Sequence, residues 1–221
     1  MFIHTNTPTY RELTTRSINN QRWYKISDDV YYPSVTSVLG SVEKPWLKEW
    51  QQMLGPEKAS KETKRCADRG TAVHEMAEKY LNNTEEPTLG YDISHQRLFN
   101  QLKFCLNNIN NIRAQEIPLY SDTLKLAGRV DCVAEYQGVL SIIDFKTSNN
   151  NKNENMIEDY KLQCTAYAIM WEEMFDEFIE DIVILIAVEK GIVPLTYKRK
   201  IDDYIQPLVK RINTFYKTLR A

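Results

Sequence analysis

Two aspartates and a lysine in the stretch GRVDCVAEYQGVLSIIDFKTS are spaced to act together. Gln137-Gly138 reads as a two-residue hairpin loop between apolar strand-like runs. With Tyr136 opposite Val139, stepping outward along both strands sets Asp131 opposite Asp144. Directly opposed side chains share a face with Cβ atoms about 4.5–5.5 Å apart. Lys146, two residues beyond Asp144, joins that face. Val133, Leu140 and Ile142 lie beside the acids, while Val130, Cys132, Ala134, Val139, Ile143 and Phe145 fill the other face, so protein is expected to cover both. Opposed carboxylates are destabilising in such a setting. A divalent cation, Mg2+ or Mn2+, relieves the repulsion through oxygen ligands and leaves positions open for water and a phosphate oxygen. A solvated strand end, or an Asp144–Lys146 or Asp131–Arg129 ion pair, relieves it without metal.

Helices must bring the remaining groups. His74 lies in RGTAVHEMAEKYL, on a helical face shared with Ala67, Gly70, Thr71, Ala77, Glu78 and Leu81. Small residues there allow close approach to a sheet or ligand, although a packed or ion-paired histidine fits the same pattern. Gln163 and Tyr167 stand four apart in a stripe with Tyr160, Met170, Met174 and Phe178. That glutamine either caps a backbone group or aims, with the tyrosine, at a phosphate or a catalytic ligand. Lys58, Lys61, Arg65 and Arg69 form one basic stripe that looks like a DNA track, but an ideal wheel sets it opposite His74, so a solvated face is at least as well supported and the stripe is left out of the site. The acidic run Glu172–Asp181 would repel phosphate and is expected on the far side.

The elements that position these residues follow from periodicity. A β-rich arm is expected over Trp23–Val35, then helices over Thr36–Leu54, Glu57–Leu81 and Ser94–Asn110. Strands follow at Arg113–Tyr120, Leu124–Tyr136 and Val139–Thr147, then a helix Glu154–Phe175, strands Asp181–Glu189 and Val193–Lys198, and a helix Asp202–Leu219. The class is α/β with a mixed sheet. No repeat or linker divides the chain, so one domain is expected over 1–221: an arm with helices (1–55), a core (56–200) and a closing helix (201–221). The run Ser148–Asn155 (SNNNKNEN) reads as a mobile loop.

Composition narrows the class further. The 28 Lys+Arg against 30 Asp+Glu give a net charge of −2, so no global basic coat marks a polyanion binder. The apolar run Ile182–Val188 is far short of the roughly 20 residues that span a bilayer, and no membrane association is expected. Cys66, Cys105, Cys132 and Cys164 include no close pair of the zinc-ribbon kind, so four reduced thiols are expected. The N-terminus MFIHTNTPTYREL has neither a signal-peptide nor a presequence pattern.

The ordered set of His74, Glu116, GRVD ending at Asp131, IIDFKTS with Asp144 and Lys146, and QCTAY with Gln163 and Tyr167 resembles the PD-(D/E)xK nucleases of the RecB-like group. Within that group it is similar to the mitochondrial genome maintenance exonuclease family, from YPSVTSVL at Tyr32–Leu39 to the helix after the DxK strand. The resemblance implies a restriction-endonuclease-like αβββαβ core. It also implies that His74, Asp131, Asp144 and the Phe145 carbonyl bind Mg2+ or Mn2+, while Lys146 positions or activates water and Glu116, Gln163 and Tyr167 support catalysis. The implied activity is cleavage of DNA, single-stranded ends preferred, in replication, recombination or repair, with proteins of those processes as partners. A non-catalytic DNA-binding subunit and a structure-specific or CRISPR-type endonuclease share the fold. Some relatives carry an iron–sulfur cluster with three C-terminal cysteines; none follows Cys164 here, so no cluster is expected. The bare N-terminus favours the cytoplasm of a bacterium or phage-infected host over a mitochondrion.

Overall fold

The structure, a computed structural model, describes residues 1–219. Its N-terminal part is a small antiparallel sheet of β1 (Thr15–Ile18), β2 (Gln21–Lys25) and β3 (Tyr31–Pro33). Asn19 and Asn20 join β1 to β2 at φ of 51° and 60°, as the mirror-image turn of a tight hairpin requires. This hairpin starts the arm earlier than the expected Trp23. The helix expected over Thr36–Leu54 is two helices, α1 (Val35–Gly40) and α2 (Pro45–Leu54). Ser34 caps α1 by accepting from Ser37 N–H at 3.0 Å, and Pro45 opens α2, where its missing N–H does no harm.

Next come α3 (Pro56–Leu81) and α4 (Ile93–Leu106), then β4 (Ile109–Ser121), β5 (Leu126–Tyr136) and β6 (Val139–Ser148). A 3-10 turn at Glu154–Ile157 leads into α5 (Glu158–Phe175), followed by β7 (Asp181–Val188), β8 (Leu195–Lys200) and α6 (Asp202–Thr218). The five later strands form one sheet in sequence order, antiparallel except for the β6–β7 pair. The α, βββ, α, β order is therefore present, in a mixed sheet flanked by helices. α4 stops short of Asn110 because Ile109 already pairs with Tyr136, and a bulge follows between Asn110 and Ala114.

Both faces of the sheet are covered. On one, Val133, Ile142, Ile184 and Ile186 pack against Leu162, Ala166 and Trp171 of α5 and Phe215 of α6. On the other, Cys132, Ile143, Phe145 and Leu185 meet Val73 and Met76 of α3 and Leu98 and Leu102 of α4. Val130 breaks the expected alternation: it packs with Val133, not with Cys132, so the side-chain period slips at Asp131.

α3 is locked to the sheet by a residue expected in solvent. Arg69 is 2% exposed, and its guanidinium donates to Asn149 Oδ1 at 2.6 Å, Glu189 Oε2 at 2.8 Å and Thr147 Oγ1 at 3.2 Å. The ideal wheel gives angles about the α3 axis and not the neighbours that close packing against β6 supplies. Lys61 and Arg65 do lie outward but are paired, with Glu57 and with Glu62 and Glu189, which interrupts the basic stripe of α3. The Ser148–Asn155 segment is likewise fastened: Asn149 holds Arg69 and Glu62, Tyr197 donates to the Lys152 carbonyl, and Asn153 caps the 3-10 turn. The acidic run is tied to the β4–β5 turn, where Glu173 accepts from Ser121 and Asp122.

Replacing Arg69 by Met should lower stability by about 2 kcal/mol or more, because Asn149 and Glu189 lose a buried charged donor. Lys61→Met should change it by less than about 0.5 kcal/mol. Urea denaturation of both variants checks this, and equal midpoints would contradict the bracing role of Arg69.

Candidate active site

The β5–β6 hairpin turns at Gln137 and Gly138 with φ of 53° and 82°, and its register places Tyr136 opposite Val139 and Cys132 opposite Ile143. The next pair in that register is Asp131 with Asp144, but the ladder ends at Cys132. Asp131 is tied to the neighbouring strand here: its Oδ2 accepts the Phe145 N–H at 2.8 Å. A carboxylate thus stands in for a strand carbonyl where the two strands part. Phe145, expected to contribute through its carbonyl, meets Asp131 through its N–H.

α3 supplies His74 from the side. Its Nδ1 is 3.5 Å from Asp131 Oδ2, and its ring meets Phe145 edge-on at 6.0 Å. Gly70 faces the strand on the same helix, and a Cβ there would make only an ordinary contact, 3.9 Å from Thr147 Oγ1. β4 supplies Glu116, at a φ of 50°. One ligand atom from each of His74, Glu116 and Asp131 lies within 4.8 Å of the others. A groove of about 430 Å3 lined by Gly70, Thr71, His74, Glu75, Glu78 and Glu116 opens beside them.

Asp144 is 1% exposed and pairs with Lys146, whose Nζ is 2.5 Å from the carboxylate. Both of its carboxylate oxygens, Oδ1 and Oδ2, lie 2.5 Å from that ammonium. Of the expected ligands, then, His74 and Asp131 are together, Glu116 joins them, and Asp144 is engaged by the lysine. Lys146 lies 5.3 Å from the Tyr160 ring centre. Gln163 donates to Tyr167 Oη at 3.3 Å, and both are buried. The glutamine therefore serves the tyrosine, not a backbone group.

Electrostatics match this crowding. Burial, then the charges of Asp131 and Glu78, push Glu116 up to about 8. Burial raises Asp144 to about 6 against the pull of Lys146. Burial opposes the Lys146 charge, but Asp144 and Asp131 overcome it, so the lysine stays an ammonium. Burial and nearby Asp131 keep Tyr167 a neutral phenol well into alkali.

These donors fit a divalent cation. Carboxylate oxygens with an imidazole suit Mg2+ or Mn2+, and the proton held by Glu116 marks missing positive charge. Sequence reasoning missed one shaping residue, Gly128 on β5. A Cβ there would sit 2.6 Å from Tyr167 Cε1 and 2.9 Å from its hydroxyl. The glycine of GRVD is the space the tyrosine occupies, and its place beside Asp131 was the available signal.

Residues 94–190 match the family model of the PD-(D/E)XK nuclease superfamily. The chain is 31% identical over 146 residues to mitochondrial genome maintenance exonuclease 1 of Mus musculus, covering 61% of this chain and 43% of that protein. It is 31% identical over 147 residues to the Homo sapiens protein of the same name, covering 61% and 42%. The Xenopus tropicalis protein is 29% identical over 177 residues, covering 72% and 49%. The chain thus matches less than half the length of these curated relatives. A solved structure from Eubacterium rectale aligns over 67% of this chain and 64% of that one, at a TM-score of 0.46 and 10% identity, a likeness too distant to bear on function. The vertebrate relatives, mitochondrial by name, overturn the expected cytoplasm of a bacterium or phage-infected host. The error came from giving weight to an N-terminal pattern, which says nothing about a domain's relatives.

Two outcomes test the geometry. Between pH about 4.5 and about 8 the folded protein holds a Glu116 proton that the unfolded chain releases, so in metal-free buffer stability should fall as pH rises through that window. Glu116→Gln should flatten the fall in urea midpoints between pH 5 and 8.5; an unchanged slope would show that Glu116 is not desolvated. Gly128→Ala should lower stability by about 1–3 kcal/mol by crowding Tyr167. Full recovery in Gly128→Ala/Tyr167→Phe is not expected, since the ring atoms clash too, whereas a Tyr167→Ala background should remove the penalty.

Proposed function

With a PD-(D/E)XK nuclease superfamily domain over residues 94–190 as the premise, we propose that this protein is a metal-dependent deoxyribonuclease, an exonuclease acting on single-stranded DNA ends. The observation that carries the proposal is the buried Asp144–Lys146 pair beside the His74, Glu116 and Asp131 donors. Magnesium or manganese held by His74, Glu116, Asp131 and Asp144 would lower the pKa of water and neutralise charge on the phosphate.

The chain's own residues do the rest. Lys146 is a cation at neutral pH, so it orients water and stabilises negative charge on the phosphate and does not accept a proton. Asp144 fixes where that ammonium sits. Phe145 N–H and the His74 ring fix the Asp131 carboxylate from two directions. Tyr167, packed into the space over Gly128, supports the hairpin on its other side, with Gln163 setting its hydroxyl. The preference for single strands rests on the pairing of Lys61 and Arg65 with acids, which interrupts the basic stripe of α3 as a duplex track, and on the short reach of charge, about 8 Å at physiological salt. A place in DNA replication, recombination or repair, alongside proteins of those processes, goes with this reading.

Lys146→Met should reduce turnover by at least about a hundredfold while DNA affinity changes only a few-fold. Parallel loss of both would make Lys146 an ordinary phosphate contact. With Mg2+, linear single strands should be degraded and circular single strands of the same sequence left intact, with EDTA stopping the reaction. Cutting of circles would replace the exonuclease reading by an endonuclease. DNA binding with no cleavage under any divalent metal would replace it by a non-catalytic subunit.

A further inference from the structure

Glu116 stands in β4 at a φ of 50°, a left-handed conformation that non-glycine residues rarely adopt. On either side the ladder with β5 is regular, Gln115 opposite Cys132 and Ile117 opposite Val130, yet the position between, where Glu116 and Asp131 would meet, is left out of it. Such a residue costs about 1–3 kcal/mol and persists only where its surroundings hold it.

One side chain supplies that hold. The Arg129 guanidinium donates through Nη1 to the Glu116 carbonyl oxygen and through Nη2 to Glu12 Oε2, at 2.6 Å for the latter. Arg129 lies on β5, two residues before Asp131, so its fork spans the kinked strand and a segment from the start of the chain. Glu12 belongs to no helix or strand but is fixed on both sides. Arg11 donates to the Ile26 carbonyl, and Leu13 is buried with Tyr24 and Ile26. A planar guanidinium suits this task, since it binds two acceptors at once in a rigid geometry.

We propose that Arg129, braced by Glu12, is a positioning residue that holds Glu116 in its left-handed conformation and so aims the Glu116 carboxyl at His74 and Asp131. The inference rests on the metal-site reading above and extends it to residues that touch none of the ligand atoms. Without the brace, Glu116 relaxes toward the regular ladder, its side chain turns with the backbone, and two donors of the group remain where there were three. The N-terminal segment is thereby a working part of the site.

Calorimetric titration of Mn2+ into the DNA-free protein tests this directly. Arg129→Met should weaken Mn2+ binding by about tenfold, the size typical for outer partners of metal ligands. Glu12→Gln should weaken it less, in the same direction. In a Glu116→Gln background, Arg129→Met should have no further effect, which a general structural loss would not mimic. Arg129→Lys keeps the charge but loses the fork; it serves in the same cycle if Arg129→Met does not fold, and should fall between wild type and Arg129→Met. Unchanged Mn2+ affinity in the Arg129 variants, or an equal loss with and without Glu116, would overturn the brace and leave the metal site standing. A wild-type protein that binds no Mn2+ would remove the metal-site reading itself, and the brace with it.

Discussion

Three carboxylates converge on a space where protein replaces water, and the rest of the site is arranged around keeping them there. Asp131, Asp144 and Glu116 each solve the problem differently. Asp131 borrows a backbone N–H and stands against His74. Asp144 holds an ammonium group so tightly that burial does not strip the lysine of its proton. Glu116 keeps its own proton to about pH 8. None of these solutions is complete, since both Asp144 oxygens share a single ammonium and a neutral Glu116 forgoes its charge. A single divalent cation would satisfy all three at once, which is why a site so costly to the bare protein makes sense as a site for metal.

The scaffold enforces this convergence by parting two strands that the hairpin has just brought together. Pairing from Tyr136–Val139 to Cys132–Ile143 sets the register, and its end at Asp131 frees that carboxylate. β6 continues along β7, so Asp144, Phe145 and Lys146 stay rigid on a strand buried on both faces. α3 is held onto β6 by the buried Arg69, and the axial position this sets carries His74 to Asp131. On the opposite face Tyr167 fills the gap over Gly128. Helix, strand and glycine thus act as one device for holding like charges close.

Much of this was legible in the residues because the strongest signals were local. Gln137-Gly138 set the hairpin register, and the four-residue spacing of Gln163 and Tyr167 set their contact. Asn19-Asn20 and Pro45 also carried readable turn and helix-start signals that the broader periodicity overrode. Other features depend on contacts between distant parts of the chain. The burial of Arg69 follows from how closely α3 packs on the sheet, and an ideal wheel contains no such information. The slip at Asp131 arises where its side chain takes the Phe145 N–H, and the left-handed Glu116 sits where the β4–β5 ladder is interrupted, features that alternation rules ignore. The likeness to nucleases placed Glu116 among the supporting residues; geometry groups it with His74 and Asp131.

The most direct measurement is anomalous X-ray diffraction from crystals of the protein grown with Mn2+. The account predicts a strong peak among His74, Glu116, Asp131 and Asp144, with Asp144 turned from Lys146 alone toward the ion. No peak there at saturating Mn2+, or peaks confined to surface acids such as those of Glu172–Asp181, would contradict it.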